Sequence, residues 1–224
     1  MLYSEKVKLF AKQHPCEEIT VDGARYRYVL CGKAGARTLV FLNGSMVAQI
    51  YVQKYPGEAG GLILVSTGGM DEATLRTLKQ KYRLAPLMLW YMKHCNYEKL
   101  KPKLISASLR HIRDETPEEI AYAKDIFETT FRDFTQEKDV HISSLLADLM
   151  RQRPVTAADF AALAGRILLI LPNQDFFSEK MQKDLIALMH DPKIAYVSGG
   201  HLSTALKTQD YVRVIREFLT ETVA

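Results

Sequence analysis

A chain of 224 residues with 47% hydrophobic side chains can bury one sizeable core, and no repeat or low-complexity stretch interrupts it. Its 30 basic and 26 acidic residues leave a formal charge of +4, without the arm of clustered Lys/Arg and aromatics that nucleic-acid binding uses. Cys16, Cys31 and Cys95 are odd in number and lack CxxC spacing, which weighs against a disulfide framework or a zinc site and fits reduced thiols in a cytoplasmic protein.

Glu5, Lys6, Lys8 and Lys12 fall where an export signal would need an apolar centre, so none is expected. Ser4–Gln13 reads as a short helix. Glu17–Leu30 alternates around Asp22-Gly23, the pair favoured in a two-residue hairpin turn, and predicts a leading antiparallel hairpin. Thr38–Leu42 is a short apolar strand candidate, Asn43-Gly44-Ser45 a turn, and Met46–Tyr55 a helix. That helix is apolar around most of its circumference, with Gln49 and Gln53 as a narrow polar edge, and is expected to lie deep. Gly61–Val65 then reads as a parallel strand buried on both faces, completing a βαβ unit.

From Met70 to about Val155 the pattern becomes helical and charged. Asp71 is a helix cap, and Thr116-Pro117-Glu118-Glu119 is a capping box. The apolar window Leu84–Met92 falls far short of the ~20 residues a bilayer span needs. Leu87, Leu89, Trp90 and Tyr91 within it are read as an apolar pocket wall, and Phe127, Phe131 and Phe134 as core or pocket lining. Thr156–Ala164 forms a short helix stopped by Gly165, Ile167–Leu171 is the most strongly buried strand candidate, and Ser178 caps a helix over Glu179–His190. Ile194–Val197 is a further strand. The last helix, about Asp210–Glu221, presents Tyr211, Val212, Ile215, Phe218 and Leu219 on one face.

Asp175 follows one buried strand and His201 the next. In an open α/β sheet ligands bind at the carboxyl ends of the strands, so both side chains are expected at one crevice. A carboxylate that accepts from one imidazole nitrogen fixes the tautomer and frees the other nitrogen to act as a base. His94, His111, His141 and His190 lack partners at metal-ligand spacing, and Gly68-Gly69 and Gly199-Gly200 form no nucleotide loop. No metal or cofactor is implied.

The segment from Pro172 to Leu219 resembles the C-terminal part of α/β-hydrolase-fold enzymes, where a strand ends at the triad acid and the triad His follows Gly-Gly before the last helix. MVAQIYVQKYPGEAGGLILVSTGG resembles the helix after the nucleophile elbow and the next strand, and TLVFLNG the earlier strand that ends in the oxyanion loop. The resemblance implies an α/β core over residues 1–69 and 156–224, with a mostly parallel, shortened sheet, helices on both faces and a helical cap insertion at 70–155. The Gly-x-Ser-x-Gly elbow is absent, and about 50 residues, or two βα units, are missing between Gly44 and Ser45 relative to that pattern.

The resemblance implies a serine hydrolase, esterase-like or peptidase-like, acting on an ester, amide or similar bond of a small, largely apolar molecule. His201 would be the base, Asp175 its orienting acid, and Asn43, Gly44 and Met46 the oxyanion or binding group. The nucleophile is either absent from the chain or replaced by Ser45, which the local pattern reads first as a helix cap. The alternative is a catalytically silent hydrolase-like module that binds a ligand or partner. A sheet shortened in this way is expected to repack or to form a homodimer.

Overall fold

A computed structural model describes residues 1–21, 24–29, 45–109, 112, and 115–222. Helix α1 (Tyr3–Gln13) is followed by strands β1 (Glu17–Val21) and β2 (Ala24–Tyr28). These pair antiparallel with Val21 opposite Ala24, which leaves a two-residue connection, and they form a sheet of their own. The turn residues Asp22 and Gly23 lie outside the described residues, as does the strand expected over Thr38–Leu42.

Helix α2 (Ser45–Lys54) leads to β3 (Leu62–Val65). After a long helical block come α8 (Ala157–Phe160), β4 (Ile167–Pro172), α9 (Glu179–Ala187), β5 (Lys193–Val197), α10 (Ser203–Leu206) and α11 (Thr208–Thr222). Strands β3, β4 and β5 lie side by side in that order, all parallel, with Leu64 opposite Leu169 and Ile170 opposite Ala195. The twofold period of the strands splits their side chains between two cores. Leu62, Leu64, Ile167, Leu169 and Leu171 pack with Val52, Phe160 and Leu185 on one face, and Leu168, Ile170 and Val197 with Tyr211, Val214 and Phe218 on the other. Helices therefore cover both faces, and the central strand β4 is buried at every position. The buried stripe of α11 is Tyr211, Val214 and Phe218, whereas Leu219 is exposed.

Two expectations are corrected. Helix α2 is not an apolar core helix with a polar outer edge: Gln49 is fully buried, while Val47 and Tyr51 are 42% and 40% exposed. The reason lies in the loop after β3, whose buried backbone groups need hydrogen-bond partners. The Gln49 amide supplies the partners, donating to Gly68 O at 3.0 Å and accepting from Met70 N at 3.0 Å. Gln53 similarly donates to Pro154 O at 3.1 Å.

The second correction concerns the block between β3 and β4, which is helical as expected: α3 (Glu72–Lys81), α4 (Ala85–His94), α5 (Tyr97–Leu109), α6 (Pro117–Arg132) and α7 (Gln136–Leu149). Asp71 accepts from Thr74 N at 2.9 Å, and Thr116 with Glu119 forms the reciprocal capping box. However, the apolar window in α4 does not wall a pocket. Leu87, Trp90 and Tyr91 are 61%, 58% and 53% exposed, because only the Met92 side of the helix is turned inward. Among the described residues no helix is long and apolar enough to cross a membrane.

Candidate active site

Three loops leave the carboxyl ends of β3, β4 and β5 and meet. The β4 and β5 loops are laced by backbone bonds from Asn173 N to Val197 O and from Gln174 N to Gly199 O, both 3.1 Å. The Asn173 side chain closes the link by accepting from Gly199 N at 3.0 Å. Gly199 has φ +101°, a left-handed backbone that favours glycine in the turn that presents His201, and a Cβ there would lie 2.9 Å from a Glu115 carboxylate oxygen, which would have to shift.

This lacing brings His201 Nδ1 to 3.1 Å from Asp175 Oδ1. The Asp175 side chain is fully buried, while that of His201 is 48% exposed. Asp175 Oδ1 also accepts from Phe176 N at 2.7 Å, which holds the carboxylate in its turn. A carboxylate acceptor at Nδ1 places the proton there and leaves Nε2 as the basic nitrogen. The second oxygen, Oδ2, is buried without a hydrogen-bond partner among the described residues. The Phe176 ring lies against the imidazole, with centroids 4.4 Å apart, and Phe177 flanks it at 6.1 Å. Phe177 in turn packs over Gly68, where a Cβ would meet its ring at 2.8 Å, so the β3 loop joins the same support.

Behind the His loop, Ser203 and Tyr211 share a buried 2.6 Å hydrogen bond. Burial pushes the Tyr211 phenol up, the Ser203 bond opposes that shift, and the Asp175 charge adds to it. Lys207, at the end of α10, reaches across to the helical block and pairs with Glu115 at 3.2 Å and with Glu119. That Lys207 bond, helped by the Thr116 amide, lowers the Glu119 carboxyl from its ordinary 4.5 to about 2, whereas burial raises Glu115. The pairing with Glu119 raises the Lys207 ammonium above its ordinary value.

Ser45 has different partners. Its Oγ donates to Val65 O at 2.9 Å and accepts from Val65 N at 3.1 Å, so one hydroxyl satisfies both main-chain groups of Val65. Met46 is partly buried against the core that α2 covers. Asn43 and Gly44 lie outside the described residues. Of the sequence-predicted residues, His201 and Asp175 are in contact, and the hydroxyl of Ser45 is bonded to the strand backbone and not to His201. Phe176, Phe177 and Asn173 were not singled out as site residues, although the Phe pair directly follows Asp175. Gln49 carried no usable signal, since a glutamine on an apolar helix reads as its wet edge.

No protein-family model matches the chain, and no curated protein sequence matches it. Solved structures do. A protein described as a non-heme bromoperoxidase from Mycobacterium tuberculosis H37Rv superposes with TM-score 0.56 at 14% identity, over 81% of this chain and 65% of that one. A thermophilic esterase from Thermogutta terrifontis gives TM-score 0.55 at 16% identity, over 80% and 62%. The fold is that of the α/β-hydrolases. A hydrolase from Pseudomonas aeruginosa PA01 adds TM-score 0.54 at 15% identity, over 79% and 61%. The chain thus spans between 61% and 65% of the length of these three α/β-hydrolase-fold proteins. At such identities the likeness concerns architecture.

Proposed function

We propose that this chain carries the acid–base half of a hydrolase site, in which His201 is the general base and Asp175 holds its tautomer and stabilises the imidazolium. The observation that carries this reading is the 3.1 Å His201–Asp175 contact, with the carboxylate buried and the imidazole open, at the ends of adjacent parallel strands. The reaction would be attack on an ester, amide or similar bond of a small, largely apolar molecule. His201 Nε2 takes the proton of the attacking hydroxyl and returns it to the leaving group. Helices α3–α7, residues 70–155 in all, serve as the cap over an α/β core formed by 1–69 and 156–224. Asn43, Gly44 and Met46 are the oxyanion or binding group, and Ser45 is the nucleophile within the chain. For Ser45 to attack, its hydroxyl must first leave Val65.

A second reading, a hydrolase-like binding module without turnover, is favoured by that same Ser45–Val65 bonding. Labelling with a fluorophosphonate separates the two. Labelling of the wild type that is lost in both Ser45→Ala and His201→Ala supports the enzyme with Ser45 as nucleophile. Labelling that persists in Ser45→Ala moves the nucleophile elsewhere, and a folded wild type that takes up no label supports the binding module.

A further inference from the structure

Helix α4 is apolar on two sides. Met92 is buried and Ala85 and Leu89 are half-buried, which accounts for one stripe. Leu84, Leu87, Met88 and Tyr91, spaced i, i+3, i+4 and i+7, form a second stripe that faces solvent, with Trp90 beside them. These five side chains are 45–63% exposed. A helix that buries one apolar face and exposes another of this size marks an interaction surface. Its packing partner α7 exposes Ile142 and Leu145 as well.

The charge around this stripe identifies what it meets. Residues 79–103 hold seven Lys/Arg and a single acidic residue, Glu98, leaving 23 basic and 25 acidic residues to the rest of the chain. The segment that carries the exposed stripe therefore has a net charge of +6 (7 − 1), against −2 (23 − 25) for the rest of the chain. Lys79, Lys81, Arg83, Lys93, Lys99 and Lys103 are exposed, and none is in an ion pair among the described residues. Exposed Leu and Met, an adjoining Trp and Tyr, and a basic rim are the features of a helix that lies in the plane of a lipid interface. A second copy of the chain is the poorer occupant, because two such faces brought together would oppose like charge. A nucleic acid would have no use for the apolar centre.

We propose that the outer face of α4 docks on an anionic lipid surface, with Leu84, Leu87, Met88, Trp90 and Tyr91 at acyl-chain depth and the flanking lysines among the headgroups. This surface asks nothing of the His201–Asp175 pair. Trp90 is the only tryptophan in the chain, so its emission reports on this site alone.

The full chain is mixed with phosphatidylcholine vesicles containing about 30% phosphatidylglycerol, and Trp90 emission and flotation are followed together. A blue shift with co-flotation is expected, about tenfold weaker on pure phosphatidylcholine and at high salt. Leu87→Asp should abolish it, and the pair Lys81→Glu with Lys93→Glu should reduce it to the phosphatidylcholine level. His201→Ala should bind as the wild type does. The proposal is overturned if Trp90 emission is unchanged and the protein stays in the soluble fraction. It is equally overturned if light scattering shows a dimer whose Trp90 emission is already shifted without lipid.

Discussion

His201 and Ser45 carry their polar atoms to different kinds of partner. His201 is bonded to another side chain, Asp175, and is held by loops that are themselves cross-linked through Asn173, Gln174 and Gly199. Ser45 is bonded to main-chain atoms of Val65, and its helix is tied down by Gln49 to further main-chain atoms at Gly68 and Met70. One region leaves an imidazole half exposed beside a buried carboxylate. The other uses its polar side chains to finish a sheet. A side chain engaged with backbone stabilises the fold, whereas one engaged with a second titratable group can move a proton, and the two halves of the candidate site divide along that line.

The contrast can be broken most forcefully at the dyad. With an ester substrate such as p-nitrophenyl acetate, His201→Ala and Asp175→Asn should each lower kcat/KM by about 10³- to 10⁴-fold, with thermal stability little changed. Next in size, Gln49→Leu should cost about 3 kcal/mol in urea denaturation, because it strands two buried backbone groups. Lys207→Met removes the cation shared by Glu115 and Glu119 and should cost about 2 kcal/mol at neutral pH.

The same substitution tests a pH dependence. Glu119 ionises at about 2 in the fold against an ordinary 4.5, so its contribution is fully present above pH 4.5 and is lost as the pH falls from there towards 2. Acid titration of stability should show that loss in the wild type and a flatter profile in Lys207→Met. The smallest expected effect is that of Ser45→Ala, about 1.5 kcal/mol for two hydrogen bonds to a strand edge. A fall in activity much larger than this loss of stability would move Ser45 from the structural side of the comparison to the catalytic one.

The sequence was informative where local rules act alone. Strand β4 is a run of Ile and Leu that only a doubly covered strand tolerates, and the caps at Asp71, Thr116 and Ser178 sit where short-range hydrogen bonding places them. Asp175 and His201 could be brought together because each follows an identifiable strand. What was illegible depends on neighbours distant in sequence. Gln49 is buried because of a loop about 20 residues further on, and the outward stripe of α4 looks the same in sequence as its inward one. Nothing in a helical pattern says which of two apolar faces the rest of the chain will cover.

The hydroxyl of Ser45 also has a meaning for solubility. The main-chain N–H and C=O of Val65 are bonded to the Ser45 hydroxyl and not to β4, and strand groups of this kind left unpaired are a template on which another chain can add itself. By occupying both outward groups of Val65, a single serine blocks the register in which such an addition would begin. Replacing it with alanine would therefore expose a growth point, and the change would be felt as concentration-dependent association before it was felt as unfolding.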